Sequence, residues 1–347
     1  MDLSLRTVRE VMGVDPDIRL GLVLERAGRR DQRLGGTVCS LAAAEGHRMG
    51  ALGTALLDAE RARRDEHERI IDLVGRTGRA DVLKGAALQR YYPPGVLRTS
   101  RDVDLLVPDE GELWAAVAAV ARERPVDEAR VSMLDSGGRR HWAVALNWPS
   151  PESDLDYVYA AEFLSAPFVG NSTTVPLRAE WPANRTVAHL LLIAEELFQQ
   201  PLRGRDVVDA AVLVDAMTEQ DVTDLHQAAG HWMLAPEVQE ALARVNAVSG
   251  LATETSRVLA RDLSAAAERE RARRAAGGPG DGTATAVHYG FSLGPALSSP
   301  TVVVEQDAEL TVVRCPVGGY LMVDTLSVPY ELARTALDRY PGAVLPG

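Results

Sequence analysis

Residues 82–107 read VLKGAALQRYYPPGVLRTSRDVDLLV, and this stretch decides how the rest of the chain is read. A short apolar run ends in Lys84-Gly85, small residues open a helix, Pro93-Pro94-Gly95 makes a turn, and Asp102-Val103-Asp104 then enters Leu105-Leu106-Val107. Side chains alternate faces along a strand, so residues 102 and 104 put both carboxylates on one face while Val103 and Leu105 go to the other. Two acids on one face next to water make a candidate site for a divalent cation.

Working outward, residues 81–83 read as a strand, 86–91 as a helix opened by Gly85, and 102–107 as a second strand. Residues 110–124 follow as a helix, with Leu113, Trp114, Val117 and Val120 at helical spacing. Residues 131–134 and 140–148 form a hairpin around Asp135-Ser136-Gly137-Gly138. Strand-like pieces at 155–159 and 173–177 extend a mixed sheet to about residue 180. Upstream, 51–76 is a long amphipathic helix with a charged middle, in which His67 reads as a solvated residue. Short helical pieces at 3–11 and 20–27, broken by Gly35-Gly36, form an N-terminal cap over 1–48.

Downstream, residues 187–198, 207–217, 222–228, 236–248 and 251–275 read as helices. A glycine-rich linker, Gly277 to Gly282, leads to β-like runs at 284–293, 301–305, 310–315 and 320–323 and a closing helix at 330–340. The expected fold is therefore α+β. Its parts are a cap over 1–48, a mixed-sheet core over 49–180, a helical domain over 181–276, and a β-rich region with a closing helix over 283–347.

Composition narrows the function classes. The 347 residues carry a formal net charge of -12, which disfavours a general nucleic-acid partner, because phosphate backbones are bound through Lys and Arg. Cys39 and Cys315 stand alone without metal or disulfide spacing, and no apolar run is long enough to span a bilayer. The expectation is a cytoplasmic protein without membrane association. The histidines lack HExxH spacing, no GxSxG elbow occurs, and the glycine pairs lack the context of a dinucleotide or Walker loop.

LKGAAL, YYPPG, and Arg98 four residues before DVDLLV together resemble the nucleotidyltransferase superfamily of the DNA polymerase β type. More narrowly, they are similar to a bacterial nucleotidyltransferase family often encoded beside natural-product and modified-peptide pathways. The resemblance covers roughly residues 50–215, with His189 and the Arg205 to Asp209 spacing continuing it weakly. It implies a nucleotidyltransferase-like mixed sheet in which Lys84, Gly85 and Arg98 bind the nucleotide and Asp102 and Asp104 hold Mg²⁺ or Mn²⁺. Glycine lets backbone approach phosphate, and paired carboxylates suit Mg²⁺ in phosphoryl transfer. The implied substrates are a nucleoside triphosphate, ATP first, and a small-molecule or peptide acceptor.

One departure bears on catalysis. Where the family carries a third acid in a DLHW-like pattern, the matching residues are Ala145-Leu146-Asn147-Trp148, and alanine neither binds metal nor accepts a proton. Asp154 and Asp156, in SDLDYVY, can substitute if the following strand returns to the same face, and Asp156 is the expected replacement in the catalytic set. Three possibilities stand: a two-acid enzyme, a relocated base, or a nucleotidyltransferase-fold binding or scaffold protein that no longer catalyses.

Overall fold

The structure is a computed structural model that describes residues 1–151, 158–277, 285–294, 301–307 and 309–339. Elements are numbered in chain order. Among the described residues, nine strands form one mixed sheet and thirteen α-helices accompany it. The strands are β1 (Asp81–Leu83), β2 (Asp102–Leu106), β3 (Glu128–Ser136), β4 (Arg139–Pro149), β5 (Val158–Leu164), β6 (Ala286–Gly294), β7 (Val303–Gln306), β8 (Thr311–Cys315) and β9 (Gly318–Val323). Their order across the sheet is β1-β2-β5-β4-β3-β6-β9-β8-β7. Only β2 and β5 run parallel; the other neighbours are antiparallel.

The chain divides into two compact units, each built from separated segments. The sheet unit takes residues 65–83 and the described parts of 102–179 and 280–347. Its larger core lies on one sheet face, where Val103, Leu105, Trp142, Val144 and Phe163 meet Leu113, Trp114, Val117 and Val120 of helix α6 (Glu110–Glu123). Asp109 starts that helix by accepting the Glu112 amide at 2.9 Å, and Glu110 and Glu112 place negative charge in its first turn. Trp114 then packs edge-on against Trp142, with ring centroids 5.2 Å apart. On the opposite face, helix α13 (Tyr330–Arg339) covers the β6, β8 and β9 end through Leu332 and Ala336. The β3–β4 hairpin closes on Gly137 and Gly138 with φ of 57° and 73°, as a two-residue loop between right-twisted strands requires.

The helical unit takes residues 1–64, 84–101 and the described part of 180–279. It holds α1 (Leu5–Val11), α2 (Leu20–Gly28), α3 (Gly35–Ala44), the first half of α4 (Ala51–Gly75) and the short α5 (Gly85–Leu88). Helices α7 (Arg185–Glu195), α8 (Gly204–Asp215), α9 (Glu219–His231), α10 (Ala235–Asn246), α11 (Glu254–Asp262) and α12 (Ser264–Ala275) complete it. Helices α7 and α8 are buried over most of their lengths.

Four sequence expectations are corrected. Gly35-Gly36 starts a helix instead of breaking one: a Cβ at Gly36 would lie 2.8 Å from Glu60 Cγ, so glycine serves close packing there. Residues 173–177 form a loop, because the Asn171 Oδ1 accepts the amides of Thr173, Thr174 and Val175 and competes with a strand ladder. The helix expected over 251–275 is two, with α11 ending at Asp262 and α12 starting at Ser264. His67, expected in solvent, is 2% exposed. No helix among the described residues is long and apolar enough to cross a membrane.

Candidate functional site

Strand β2 sends Val103 and Leu105 into the α6 core, so alternation turns Asp102 and Asp104 toward the other face, where both are half-buried. Register carries that face across the sheet. Leu83, Asp104, Glu162, Ala145 and Arg130 stand in one row of directly paired residues. Asp102, Ala160, Asn147 and Glu128 form the next row. Paired residues on neighbouring strands are about 4.8 Å apart, so Asp104 and Glu162 bring two carboxylates side by side with Asp102 two residues along the strand. A cavity of about 370 Å³ opens on this face, lined at one end by Asp102 and Glu162 and at the other by Arg130, Ser132 and Tyr289.

Glu162 is an acid that the sequence pattern did not single out. It occupies the place between Asp104 and Ala145, one strand away from position 145. A signal for it exists in Tyr159, Ala161 and Phe163, whose burial alternates with Ala160 and Glu162, but only register shows which strand β5 adjoins. Asp154 and Asp156 lie outside the described residues.

The donors offered are hard oxygens, which Mg²⁺ and Mn²⁺ prefer, and in this respect the residues fit the implied metal. Asp102 and Asp104 on β2, with Glu162 on β5, are the residues that could hold it. Among the described residues, no three His, Cys, Asp or Glu side chains are already grouped to hold a metal ion.

The other expected site residues belong to the helical unit. Lys84 and Gly85 turn the chain from β1 into α5 with consecutive positive φ values of 40° and 45°. Glycine takes such a value readily; lysine does so under strain, a cost met at functional turns and tight junctions. The Lys84 ammonium pairs with Glu196 in a short hydrogen bond. That charge is the main reason the Glu196 carboxyl is lowered to about 2, against an opposing effect of burial, with Gln200 donating a further bond at 2.9 Å.

Arg98 is buried, and its guanidinium holds Asp209 of α8 through Nε–Oδ1 at 2.8 Å and Nη2–Oδ2 at 2.7 Å. Tyr92 donates its hydroxyl to the same Asp209 at 2.6 Å, and Arg205 approaches it at 3.9 Å. Burial, and then the Asp209 charge, pushes the Tyr92 hydroxyl well above its ordinary pKa. The structure thus joins the YYPPG turn and Arg98 to the Arg205 to Asp209 segment in a closed ionic network. His189 of α7 is 2% exposed and stacks edge-on with Trp181 at 5.8 Å. Burial, then Arg90, Arg185 and Arg98, lowers its pKa to about 4, which keeps it neutral.

Comparison of the chain with protein-family models, with characterised proteins and with solved structures gives no match.

Proposed function

We propose that the chain is a nucleotidyltransferase that moves a nucleoside monophosphate from a nucleoside triphosphate, ATP first, to a small-molecule or peptide acceptor. The observation that supports this most directly is the acid row: Asp104 and Glu162 are registered neighbours, with Asp102 on the same face at a cavity of about 370 Å³. Like charges set side by side oppose folding, so such a row is more readily understood as a cation site than as a stability device. Mg²⁺ or Mn²⁺, when bound, supplies the charge neutralisation that a triphosphate requires.

The chain's own contribution follows from the residues. Asp102 and Asp104 orient the cation, and Glu162 accepts the proton of the acceptor's hydroxyl or amine. The acceptor atom forms a bond to the α-phosphorus, the bond from that phosphorus to the bridging oxygen of pyrophosphate breaks, and pyrophosphate departs with the electron pair. Lys84 and Gly85 form the turn that the resemblance gives to the phosphates. Arg98 has a structural task in the Asp209 network.

Calorimetry with ATP tests the reading. Binding is expected with Mg²⁺ or Mn²⁺ and a loss of at least tenfold in chelator or in Asp102→Asn/Asp104→Asn; equal affinity in chelator overturns it. Glu162→Gln is expected to reduce labelled product formed from radiolabelled ATP and cell extract by about 10²-fold or more, with ATP affinity nearly kept.

A further inference from the structure

The cavity on the sheet face is chemically polarised. At the acid end stand Asp102 and Glu162; two strands away from Glu162, in the same row, stands Arg130. The Arg130 side chain is 68% exposed and forms a loose ion pair with Glu128 at 3.9 Å, beyond hydrogen-bond reach. Glu128 itself accepts from the Asn147 amide at 2.5 Å. The guanidinium fork therefore keeps donors with the planar spacing that matches a carboxylate.

Between the two ends the floor is low and flat. Ala145 separates Glu162 from Arg130, and Ala143 lies in the next row with Ser132 and Tyr289. The half-buried Tyr289 ring supplies an aromatic wall, and a volume of about 370 Å³ is at the lower end of the range for small-molecule sites. The backbone span from Glu162 to Arg130 is two strand spacings, or about 10 Å, the reach of a single substituted ring with side chains closing from both ends.

We infer that the acceptor is a small, flat carboxylate, anchored by Arg130 and lying over Ala143 and Ala145, with its hydroxyl or amine toward Glu162. This rests on the nucleotidyltransferase reading for the meaning of the acid end, while the carboxylate preference rests on the cavity itself. A diamine or other cationic acceptor would place positive charge against Arg130. A purely apolar one would gain nothing from its guanidinium.

The test uses the full chain and two probes, 4-hydroxybenzoate and its neutral analogue 4-hydroxybenzamide, followed by ligand-observed NMR titration. The acid is expected to bind at least tenfold more tightly than the amide. Arg130→Ala should remove that preference and Arg130→Lys restore part of it, whereas Ala145→Leu, which fills the floor, should weaken both probes about tenfold. No binding of the acid, no preference for it, or a preference that survives Arg130→Ala overturns the inference. Calorimetry of ATP with Mg²⁺ on the same samples separates the two claims. Metal-dependent ATP binding without a carboxylate preference sinks the acceptor inference alone. A carboxylate preference dependent on Arg130 without ATP binding sustains the pocket and removes the nucleotidyltransferase reading.

Discussion

Asp209 and Asp104 are both aspartates among charged neighbours, and they face opposite physical situations. Asp209, 1% exposed, has two arginine nitrogens within 2.8 Å and a tyrosine hydroxyl at 2.6 Å, so its charge is matched and sealed from water. Asp104 is half-buried on a face that opens into a cavity, and its registered neighbour on β5 is another acid. Matched burial builds structure, since removing either partner strands a charge in a medium that cannot solvate it. Adjacent like charges at an opening tend to do the reverse: side by side they oppose folding, and on the reading proposed above a bound cation would offset that repulsion. The sequence pattern assigns Arg98 to the nucleotide and Asp102 to the metal, as members of one site. Environment separates them.

The comparison breaks most visibly at Asp209. Asp209→Ala leaves Arg98 buried without its carboxylate and is expected to cost about 3 to 5 kcal/mol. At roughly 2 to 4 °C per kcal/mol for a chain somewhat smaller than this one, melting should fall by close to 10 °C. Arg98→Met with Asp209→Leu should recover part of that loss, because an apolar pair removes both buried charges at once. A fall of under 1 kcal/mol in Asp209→Ala, read from urea unfolding, would place the network outside the structural role assigned to it.

The next effect is a pH dependence, and it sharpens the same contrast. His189 has a folded pKa of about 4, below the ordinary 6.5, because burial and nearby arginines disfavour its charged form. The unfolded chain therefore binds the proton first as pH falls. Stability that is complete above about 6.5 declines between 6.5 and 4 by an amount on the order of 3 kcal/mol. Glu196, lowered to about 2 chiefly by Lys84, acts in a more acidic window: its contribution is present above 4.5 and is lost as pH falls toward 2. Urea midpoints at pH 7.5, 5.5 and 3.5 should show the first decline in the wild type and a shallower one in His189→Phe. An unchanged slope between 7.5 and 5.5 in that variant would assign the acid sensitivity to another group.

What the sequence made legible and what it hid follow the same division between local and long-range physics. Helix α6 could be read because Leu113, Trp114, Val117 and Val120 repeat at helical spacing behind an Asp109 cap. The hairpin could be read from Gly137-Gly138, and the common face of Asp102 and Asp104 from strand alternation alone. Glu162 could not be found this way. Its place beside Asp104 depends on β5 pairing in parallel with a strand more than fifty positions earlier, and no local pattern encodes that register. The β-like runs after residue 284 were visible, but their joining of the same sheet through β3 and β6 was not. Arg98 was visible as a charge near a turn, yet its partner lies 111 residues away. His67 was misread because a charged helical run predicts solvent wherever tertiary packing is unknown.

The smallest expected effect is also the one that separates the two aspartates most cleanly. Asp104→Asn keeps side-chain size and one acceptor oxygen, exchanges the other for an amide donor, and removes one of two registered negative charges. If the row is held for a cation, neutralising one member should leave stability within about 0.5 kcal/mol of the wild type, or raise it by a few tenths through weaker repulsion across the β2–β5 pair. Glu162→Gln should behave in the same way, since it relieves the same repulsion from the other strand. Asp104→Asn should lose the additional stabilisation expected from Mg²⁺ with ATP, because a ligand stabilises only the state that binds it, whereas Glu162→Gln, expected to keep its ATP affinity, should retain it. Melting curves with and without Mg²⁺ and ATP measure all of these together. A drop of 2 kcal/mol or more in Asp104→Asn without ligand would put Asp104 in the same class as Asp209, an acid whose charge the fold itself requires.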